Sequence, residues 1–487
     1  MSALTRRDFT KLIGAAGIAA LTPTRNILGA NNDIRIAVIG VGGQGWNHAK
    51  RLRKMDGVRL VAVCDPDSAT VEKRINTFKQ DGITPKVEGY QDFHKVLDDK
   101  DIDAVVIATP NHWHSLMTIY ACQAGKDVYV EKPVSHTIWE GRKLCEAAEK
   151  YGRIVQGGTQ NRSDVGLLEF FDWFKEGHLG KIKSLHGLCY RNRTGIGQQD
   201  TPLIPPASLD YNLWLGPAQD LAMYRPRLHY DWHWIWNTGN GDVGNQAPHE
   251  YNLLAWAIGD RVLPKRVTTF GGRFGWHDAG ETPNTQFVMY EFECGIPVYF
   301  EVRNMRAKPD VNTMPLYTKY GKTKNCNIII DCENGFFQGT RGGGFVYDTD
   351  GKRGRQFKGD GGANHMANFL DAMRSRKTSD LRSPVETNHY SDCWHHMANV
   401  AYRLGKSVGH DELKERMSAD KVAMETFERC SQQMRDWKID HGKEPWTLGT
   451  TLTFDTEKEQ FTGPMAKQAN VYLHRRDRPA FRIPNHV

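Results

Sequence analysis

The sequence is poor in the features that mark several classes of protein. Its nine cysteines are scattered singly among 487 residues and form no C-x-x-C pair. An odd number without paired spacing provides neither a complete disulfide framework nor a metal-binding motif. The formal charge of +7 is small for this length and forms no concentrated basic stripe, which argues against a nucleic-acid partner. Repeats and low-complexity segments are absent, and the length predicts two or three globular domains.

Long apolar runs are also missing. The run near the N-terminus, Leu12–Leu21, covers ten residues, which suits the core of a signal peptide but is too short to span a bilayer. It follows Arg6 and Arg7 in a segment that resembles a twin-arginine export signal, with Thr10 where leucine is usual. We therefore expect residues 1–30 to be a signal peptide, the protein to be exported folded to the periplasm, and no stable membrane insertion. A cytoplasmic protein with a chance Arg-Arg pair is the alternative.

The strongest motif follows the first apolar strand pattern, residues 34–39. GVGGQG at 40–45 is a G-x-G-x-x-G, a helical pattern comes next, and a second apolar run ends in Asp65. In this context the glycines permit a tight turn, close approach of a pyrophosphate and helix packing. An acid at the end of the second strand accepts hydrogen bonds from a ribose 2′-OH and repels a 2′-phosphate, so we predict NAD in preference to NADP. The predicted cofactor-binding residues of this segment are Gly40, Gly42, Gly43, Gln44, Gly45 and Asp65. A glycine turn without a ligand is the alternative.

Helical and apolar segments keep alternating to about residue 158. Later strands are predicted at 104–108, 127–130 and 153–156, and helices at 66–78, 92–97, 115–124 and 138–151. The pattern predicts an α/β Rossmann domain over residues 31–158 with a doubly wound parallel sheet. Ligands of such sheets bind beyond the carboxyl ends of the strands, where residues 109–114 and 131–133 fall.

Three motifs together resemble the Gfo/Idh/MocA oxidoreductases, the family of glucose–fructose oxidoreductase and inositol dehydrogenase. They are the glycine motif, Thr109-Pro110-Asn111 with His114 after one strand, and Glu131-Lys132-Pro133 after the next. The resemblance extends over about residues 32–405. It implies that further cofactor-binding residues are Thr109, Pro110, Asn111, His114, Glu131 and Lys132. Gln160 is assigned to the same site because it follows the last predicted strand of the Rossmann domain. Arg162 is assigned either to this site or to the surface.

The remainder of the chain predicts a second domain over residues 159–444. Strands are expected at 184–190, 286–293 and 296–303, and helices at 364–376, 394–404 and 412–430. The resemblance implies an α+β domain with a large, mostly antiparallel open sheet, which commonly makes the subunit contact. A homodimer or homotetramer is therefore expected. Residues 445–487 show little periodicity and are predicted to form an extended tail around the domain or a neighbouring subunit.

A second part of the site is expected at residues 239–249. The sequence GNGDVGNQAPH resembles the family segment G-G-G-x-x-x-D-x-G-x-H, with Asn240 and Ala247 replacing glycines. His249 falls on the catalytic histidine of the family. Asn245 stands where many members have aspartate, so it can orient a partner but cannot supply negative charge. The predicted catalytic residues are Lys132, His249 and Asn245.

Two neighbouring features leave alternatives open. His112 and His114 have the i, i+2 spacing of metal ligands, but no carboxylate pattern accompanies them and no metal is predicted. The aromatic stretch 230–236 contains Trp232, Trp234 and Trp236 at a spacing of two. It either packs in the core or offers rings on which a sugar could stack.

These residues favour an NAD(P)-dependent oxidoreductase of CH–OH groups that acts on a sugar, sugar derivative or cyclitol. Because a periplasmic enzyme has no dependable pool of free NAD, the cofactor is expected to stay tightly bound and to be recycled internally. A redox glycosidase of the same family, which oxidises, eliminates and reduces, is one alternative. A non-catalytic exported binding protein that keeps the dinucleotide fold is the other.

Overall fold

The computed structural model describes residues 33–82, 86–309 and 327–487. The predicted signal peptide, residues 1–30, lies outside the described residues. Two β-sheets organise the described chain, one parallel and one mostly antiparallel. No helix in these ranges combines the length and apolarity that crossing a membrane requires.

The first sheet has six parallel strands in the order β3-β2-β1-β4-β5-β6. Its elements are β1 Ile34–Ile39, α1 Gln44–Leu52, β2 Val58–Cys64, α2 Ser68–Gln80, β3 Glu88–Tyr90, α3 Phe93–Asp98, β4 Ala104–Ile107, α4 Asn111–Gln123, β5 Asp127–Val130, α5 Ile138–Lys150 and β6 Val155–Gly157. Strands β4, β5 and β6 are buried along their whole length, as strands covered by helices on both faces require. The predicted Rossmann sheet is confirmed.

Helix α4 begins at Asn111, four residues before the predicted start. Pro110 is the N-cap residue, with φ −61° and ψ 152°. The polar sequence of residues 111–114 indicated a loop, but these side chains are buried inside the helix. They can be helical there because backbone carbonyls satisfy His112, Trp113 and His114 and the Asn240 side chain satisfies Asn111.

The second unit contains the remaining elements of the described chain. They are α6 Val165–Lys175, β7 Ile182–Tyr190, α7 Tyr211–Leu215, α8 Gly241–Asn245, α9 Pro248–Ile258, β8 Arg266–Gly272, β9 Thr285–Glu291, β10 Val298–Arg303, β11 Ile328–Cys332, β12 Gly335–Thr340, β13 Gly343–Tyr347, β14 Arg353–Lys358, α10 His365–Ser375, α11 Val385–Arg403, β15 Lys406–Val408, α12 His410–Met417, α13 Lys421–Asp436, β16 Trp446–Leu448, β17 Leu452–Asp455, β18 Gln460–Thr462 and α14 Ala466–Asn470. Short 3₁₀ turns cover Gln160–Ser163, Asp231–Trp234, Thr378–Asp380, Val471–Leu473 and Pro479–Phe481.

The second sheet is large and open, as predicted. Its strand order is β14-β13-β12-β11-β7-β10-β9-β8-β16-β15, with β17 joining β8 and β18. Strands β7 and β10 are parallel, and the other pairs are antiparallel. Helices α9 and α11 pack on one face through Tyr251 and Trp394, whereas α13 covers part of the other face through Phe427. The predicted homo-oligomer stays a prediction.

Two helical predictions need correction. The helix expected at 394–404 is the second half of α11, which begins at Val385. Its first half carries buried polar residues such as His389 and Asp392, so the amphipathic pattern that reveals a helix is missing there. The helix expected at 412–430 is two helices, because the Asp420 side chain caps a new helix by accepting a hydrogen bond from the Ala423 amide at 2.8 Å.

Residues 445–487 differ from the predicted extended tail over their first part. Strands β16 to β18 and helix α14 belong to the second sheet and its core. Residues 474–487, here called the C-terminal strap, then cross to the Rossmann domain, where Phe481, Ile483 and Val487 enter the apolar core. Strands this short carry no readable alternation in sequence, which explains the missed elements.

A long connection between β7 and α8 also reaches the Rossmann domain. We call residues 191–240 the crossing segment. The Ser208 carbonyl accepts hydrogen bonds from the Ser68 amide at 2.9 Å and the Gln91 side chain at 3.0 Å. The Asp210 amide donates to the Pro66 carbonyl at 2.8 Å. The crossing segment therefore lies across the carboxyl edge of the parallel sheet, next to Asp65.

Candidate active site

The glycine turn after β1 has the geometry of a dinucleotide site. Gly40 has φ +86°, and a Cβ on Gly45 would lie 1.8 Å from the Gly40 carbonyl oxygen. These two glycines therefore make the turn and let α1 pack against it. A Cβ on Gly42 or Gly43 would meet nothing within 4 Å, and no side chain caps the N-terminus of α1. Open space beside free helix N–H groups suits the pyrophosphate of a dinucleotide.

Asp65 and Arg74 lie together at the end of this site where the adenosine ribose would bind. The Asp65 carboxylate accepts hydrogen bonds from the Val41 amide at 2.9 Å and the Asp67 amide at 3.1 Å. Burial raises the pKa of Asp65, and these two bonds oppose the rise. Arg74 donates to the Val41 and Gly42 carbonyls at 3.0 and 2.7 Å. No sequence motif pointed to Arg74, whose proximity follows from the packing of α2.

The residues after β4 hold the adjoining turns in place. His114 is buried, with one ring nitrogen 2.8 Å from the Thr109 carbonyl and the other 2.6 Å from the Pro133 carbonyl. Asn111 donates to the Asn240 side chain at 3.1 Å. Both side chains therefore connect segments around the site, and Pro110 fixes the start of α4. The Thr109 hydroxyl is buried and has no hydrogen-bond partner in the described chain.

His112, the other histidine of this turn, also contacts backbone carbonyls. Its ring nitrogens lie 3.3 Å from the Thr238 carbonyl and 3.1 Å from the Trp214 carbonyl. Burial lowers its pKa to about 3. The two partners belong to the crossing segment, so this side chain anchors that segment to α4.

Glu131 is a buried carboxylate at the end of β5. Its Oε1 lies 2.8 Å from His48 Nε2, and Gln160 and Gln44 donate to it at 3.2 and 3.4 Å. Burial acts to raise the pKa of Glu131, but the His48 contact and the Lys132 charge outweigh it and lower the pKa to about 2. The structure thus brings the predicted residues Gln44, Glu131 and Gln160 together, with His48 as an unpredicted partner.

Lys132 meets the second unit directly. Its ammonium donates to the Asn245 backbone carbonyl at 2.6 Å and to the Asn245 side-chain oxygen at 3.2 Å. Burial lowers the pKa of Lys132, and the negative charge of Glu131 opposes this. The predicted pair Lys132–Asn245 is therefore in contact, 113 residues apart in sequence.

Asp242, one helical turn before Asn245, supplies the negative charge that Asn245 lacks. The Asn245 amide group lies 3.4 Å from Asp242 Oδ1 and donates to it. Arg193 of the crossing segment forms a bidentate pair with the same carboxylate at 2.6 and 2.7 Å. Asn304 and Trp234 also donate to Asp242. Sequence reasoning missed Asp242 and Arg193. For Asp242 a signal was readable, because it lies three residues before Asn245 and would share a helix face with it.

His249 lies at the start of α9. Burial and the Lys132 charge lower its pKa to about 3, and the charges of Arg191 and Arg341 act in the same direction. Its Nδ1 is buried and has no hydrogen-bond partner among the described residues. A neutral imidazole with a free nitrogen can accept a proton from a substrate hydroxyl.

The aromatic stretch beside the site forms a 3₁₀ turn at Asp231–Trp234, so the spacing of two does not create one face. Trp234 is buried under Arg193, with the guanidinium 5.1 Å from the ring centre. Trp232 stacks on His233 at 3.6 Å between ring centres. Tyr230 is half exposed, has φ +68°, and its hydroxyl accepts a hydrogen bond from Arg193 at 3.3 Å. Packing accounts for Trp234, while Tyr230 reaches solvent.

Arg162 is buried, which excludes the surface role. It donates to the Asn252 carbonyl at 2.8 Å and pairs with Asp260 at 2.6 Å. It therefore connects the segment after β6 to helix α9 and does not point to the Rossmann edge.

Comparison with known proteins agrees with this geometry. Residues 34–159 match the model of an oxidoreductase family, NAD-binding Rossmann fold, designated GFO_IDH_MocA. Inositol 2-dehydrogenase of Salmonella typhimurium is 29% identical over 242 residues, 49% of this chain and 65% of that protein. Alpha-N-acetylgalactosaminidase of Shewanella oneidensis is 34% identical over 160 residues, 32% of this chain and 34% of that protein. The chain spans less than two thirds of the length of either relative.

Solved structures show the same fold over more of the chain. The WlbA dehydrogenase of Bordetella pertussis, solved with NADH and UDP-GlcNAcA, superimposes with a TM-score of 0.52 at 18% identity. The match covers 75% of this chain and 94% of WlbA. The combination of a Rossmann domain with an open sheet therefore also occurs in this solved structure.

Proposed function

We propose that this protein, whose residues 34–159 form the NAD-binding Rossmann domain of the Gfo/Idh/MocA oxidoreductase family, oxidises or reduces a ring CH–OH group of a sugar, sugar derivative or cyclitol. One observation carries the proposal. Lys132, at the carboxyl edge of the nucleotide sheet, is held by Asn245 close enough to His249 for its charge to lower the histidine pKa. A cation and a neutral base at this edge suit transfer of a hydroxyl proton.

Lys132 would hydrogen-bond the reacting oxygen. Its ammonium has three donors, and two of its contacts are to Asn245, so one N–H remains for the substrate. The lowered pKa of Lys132 makes the proton easier to share as negative charge develops on that oxygen. When bound, NAD would accept or return hydride at the ring carbon.

His249 would hold the proton that leaves the hydroxyl. Its imidazole is neutral at pH 7, because its pKa is lowered to about 3. A substrate oxygen that becomes negative would favour the protonated form and raise that pKa during reaction. Asn245 and Asp242 would keep Lys132 in place while the proton moves.

We expect Lys132→Ala to lower turnover by at least about a hundredfold, the usual effect of removing an acid/base or electrostatic group. Dinucleotide binding should change little, since the side chain contacts Asn245. The exposed Lys95 on α3 provides the control Lys95→Ala. Reduced nicotinamide absorbance measures turnover, and a non-catalytic binding protein would show no change in that band. A Lys132→Ala enzyme within a few-fold of wild type would remove Lys132 from the mechanism.

The cofactor is proposed to be NAD, tightly bound. Asp65 favours a free ribose 2′-OH, whereas Arg74 is the nearby cation that a 2′-phosphate would need. The crossing segment supports retention, because it closes over the carboxyl edge beside Asp65. Export by a twin-arginine signal is part of the same proposal, since that route carries folded proteins with their cofactors.

The test is exhaustive dialysis of the purified protein, denaturation, and identification of the released dinucleotide. Near-stoichiometric NAD supports retention, and Asp65→Ala should then admit NADP. Recovery of NADP would overturn the assignment from Asp65. An empty site with steady turnover only in added NAD would identify an ordinary dehydrogenase with exchangeable cofactor.

A redox glycosidase is the second candidate. It is favoured by the similarity of 160 residues of the chain to an alpha-N-acetylgalactosaminidase and by Asn245 in place of aspartate. Such an enzyme would release an aglycone from a nitrophenyl glycoside with no net change in NADH. Net NADH formation from a free sugar without glycoside cleavage would favour the dehydrogenase.

A further inference from the structure

We infer that the substrate of this site carries an anionic group, a carboxylate or a phosphate, bound by the guanidinium groups of Arg191 and Arg341. This inference rests on the proposed function, because it assumes that the substrate lies beside Lys132 and His249. The two arginines come from different strands of the open sheet, Arg191 directly after β7 and Arg341 directly after β12.

A chain of contacts ties the strand end before Arg341 to the helix that carries His249. The hydroxyl of the preceding residue, Thr340, donates to the Asn327 side chain at 3.1 Å. Asn327 in turn donates to the carboxylate of Glu250, the neighbour of His249. Arg341 therefore follows a strand end that is tied to the first turn of α9.

A second contact holds Arg341 towards the nucleotide side. Its Nε donates to the Gly361 carbonyl at 2.8 Å. The adjacent Gly362 lies so close to Gln160 that a Cβ there would be 2.0 Å from the Gln160 carbonyl oxygen. Gln160 in turn donates to Glu131, so the loop that accepts from Arg341 packs against the residues of the nucleotide edge.

Arg191 leaves the open sheet at the same edge as Arg341, because β7 and β12 are both antiparallel to the strand β11 between them. The amide of Arg191 donates to the Arg303 carbonyl at 3.1 Å, and Arg191 lies two residues before Arg193, which pairs with Asp242. The charge of Arg191 lowers the pKa of both Glu250 and His249. Both arginines therefore follow strand ends at one edge of the sheet, and both charges act on His249.

Neither guanidinium has an acidic partner. In the described ranges no carboxylate oxygen lies within the 4.0 Å of an ion pair from the nitrogens of Arg191 or Arg341. Arg191 is half-buried and Arg341 is exposed. Other arginines of this protein do have acidic partners, as Arg193 with Asp242, Arg273 with Asp278 and Arg429 with Glu301 show. Unpaired guanidiniums beside a reacting group are available for a ligand.

The remaining charges at the site do not neutralise them. Lys132 lies beside Glu131, and Arg193 is paired with Asp242. The carboxyl of Glu250 is left, but burial raises its pKa to about 7, so it is only partly ionised at neutral pH. The excess of positive charge favours an anion, and the planar fork of arginine matches a carboxylate or phosphate in two parallel hydrogen bonds.

The experiment is calorimetric binding to the purified protein with its retained dinucleotide, or with NAD added to saturation. The probes are D-glucuronate, D-glucose 1-phosphate and neutral D-glucose. We expect at least one acid to bind about tenfold or more tightly than glucose. The double variant Arg191→Gln, Arg341→Gln should abolish this preference, and the tighter acid identifies carboxylate or phosphate. Arg353→Gln on β14 is the control, since this exposed arginine stacks on Phe345 away from the site.

Because binding needs no turnover, this result is independent of whether the protein is an oxidoreductase. Circular dichroism and dinucleotide content establish that the double variant is folded. Equal affinity for acids and glucose, or no binding of either acid, would overturn the inference. Loss of dinucleotide from the double variant would also overturn it, since the arginines would then bind the cofactor diphosphate.

Discussion

The pKa of Glu250 depends on its burial and on the charges around it at this site. It is buried, and one oxygen accepts a hydrogen bond from Asn327 while the other has no partner in the described chain. Burial raises its pKa to about 7, compared with about 4.3 in an unfolded chain. Between these values the folded protein binds more protons than the unfolded one, so stability falls as the pH rises through this window.

Glu250→Gln is therefore expected to stabilise the protein at pH 8 by on the order of 1–3 kcal/mol and to have little effect near pH 4.5. The amide oxygen of glutamine can still accept from Asn327. Denaturant unfolding at the two pH values measures the difference. An equal effect at both pH values would show that the pKa of Glu250 does not differ between the folded and unfolded states.

At the residue scale, sequence reasoning identified groups whose partners are local. Gly40 and Gly45 were predictable because a tight turn and close packing restrict the residue type wherever the motif occurs. Asp242, Arg193 and Arg74 were not, because their roles depend on contacts that only the packed elements create. His114 was predictable as part of the site segment, but its two backbone partners were not.

At the scale of elements, the short helix α8 joins the two halves of the site. Asp242 and Asn245 lie one turn apart in it, and the Asp242 charge raises the pKa of Lys132 against the effect of burial. Asp242→Asn should therefore lower the pKa of Lys132 and move the basic limb of the activity profile to lower pH, with about a tenfold loss of kcat. Asn245→Asp places a carboxylate against the ammonium and should move the same limb to higher pH.

The pH dependence of kcat for both variants tests this arrangement. Opposite shifts support an electrostatic role for Asp242, whose charge raises the pKa of Lys132. A purely structural role would lower the amount of folded enzyme and leave the position of the limb unchanged.

Elements with a clear period were the ones that sequence could predict. Strands β4 and β5 and helices α5 and α10 were found because burial imposes one pattern along the whole element. The first half of α11 and the strands after residue 445 were missed. Their side chains satisfy hydrogen bonds or fill short gaps, and neither requirement produces periodicity.

At the scale of the whole molecule, the C-terminal strap joins the two units. Arg475 of the strap is partly buried, lies 3.2 Å from the buried carboxyl of Glu140 on α5, and donates to the His112 carbonyl at 3.1 Å. Removing the arginine leaves Glu140 buried without its cation. Arg475→Met should therefore destabilise the protein by about 3 kcal/mol.

Chemical denaturation compares this variant with Arg476→Met, whose side chain is exposed and should be neutral within about 0.5 kcal/mol. The double variant Arg475→Met, Glu140→Gln should recover part of the loss, because the buried side chain of Glu140 is then uncharged, whereas Asp477, 2.9 Å from Arg475, still loses its partner. If Arg475→Met and Arg476→Met destabilised the protein equally, the ion pair of Arg475 would contribute nothing, and the strap would be held by its apolar residues alone.

The same strap bears on the order in which the chain can fold as it is synthesised. Phe481, Ile483 and Val487 complete one side of the nucleotide-domain core, and Met366 and Phe369 of α10 complete the other. A ribosome therefore produces all six strands of the parallel sheet long before the residues that cover them. The Rossmann domain is therefore synthesised first, but its core is completed last. Until then its apolar faces need a chaperone or a transient partner.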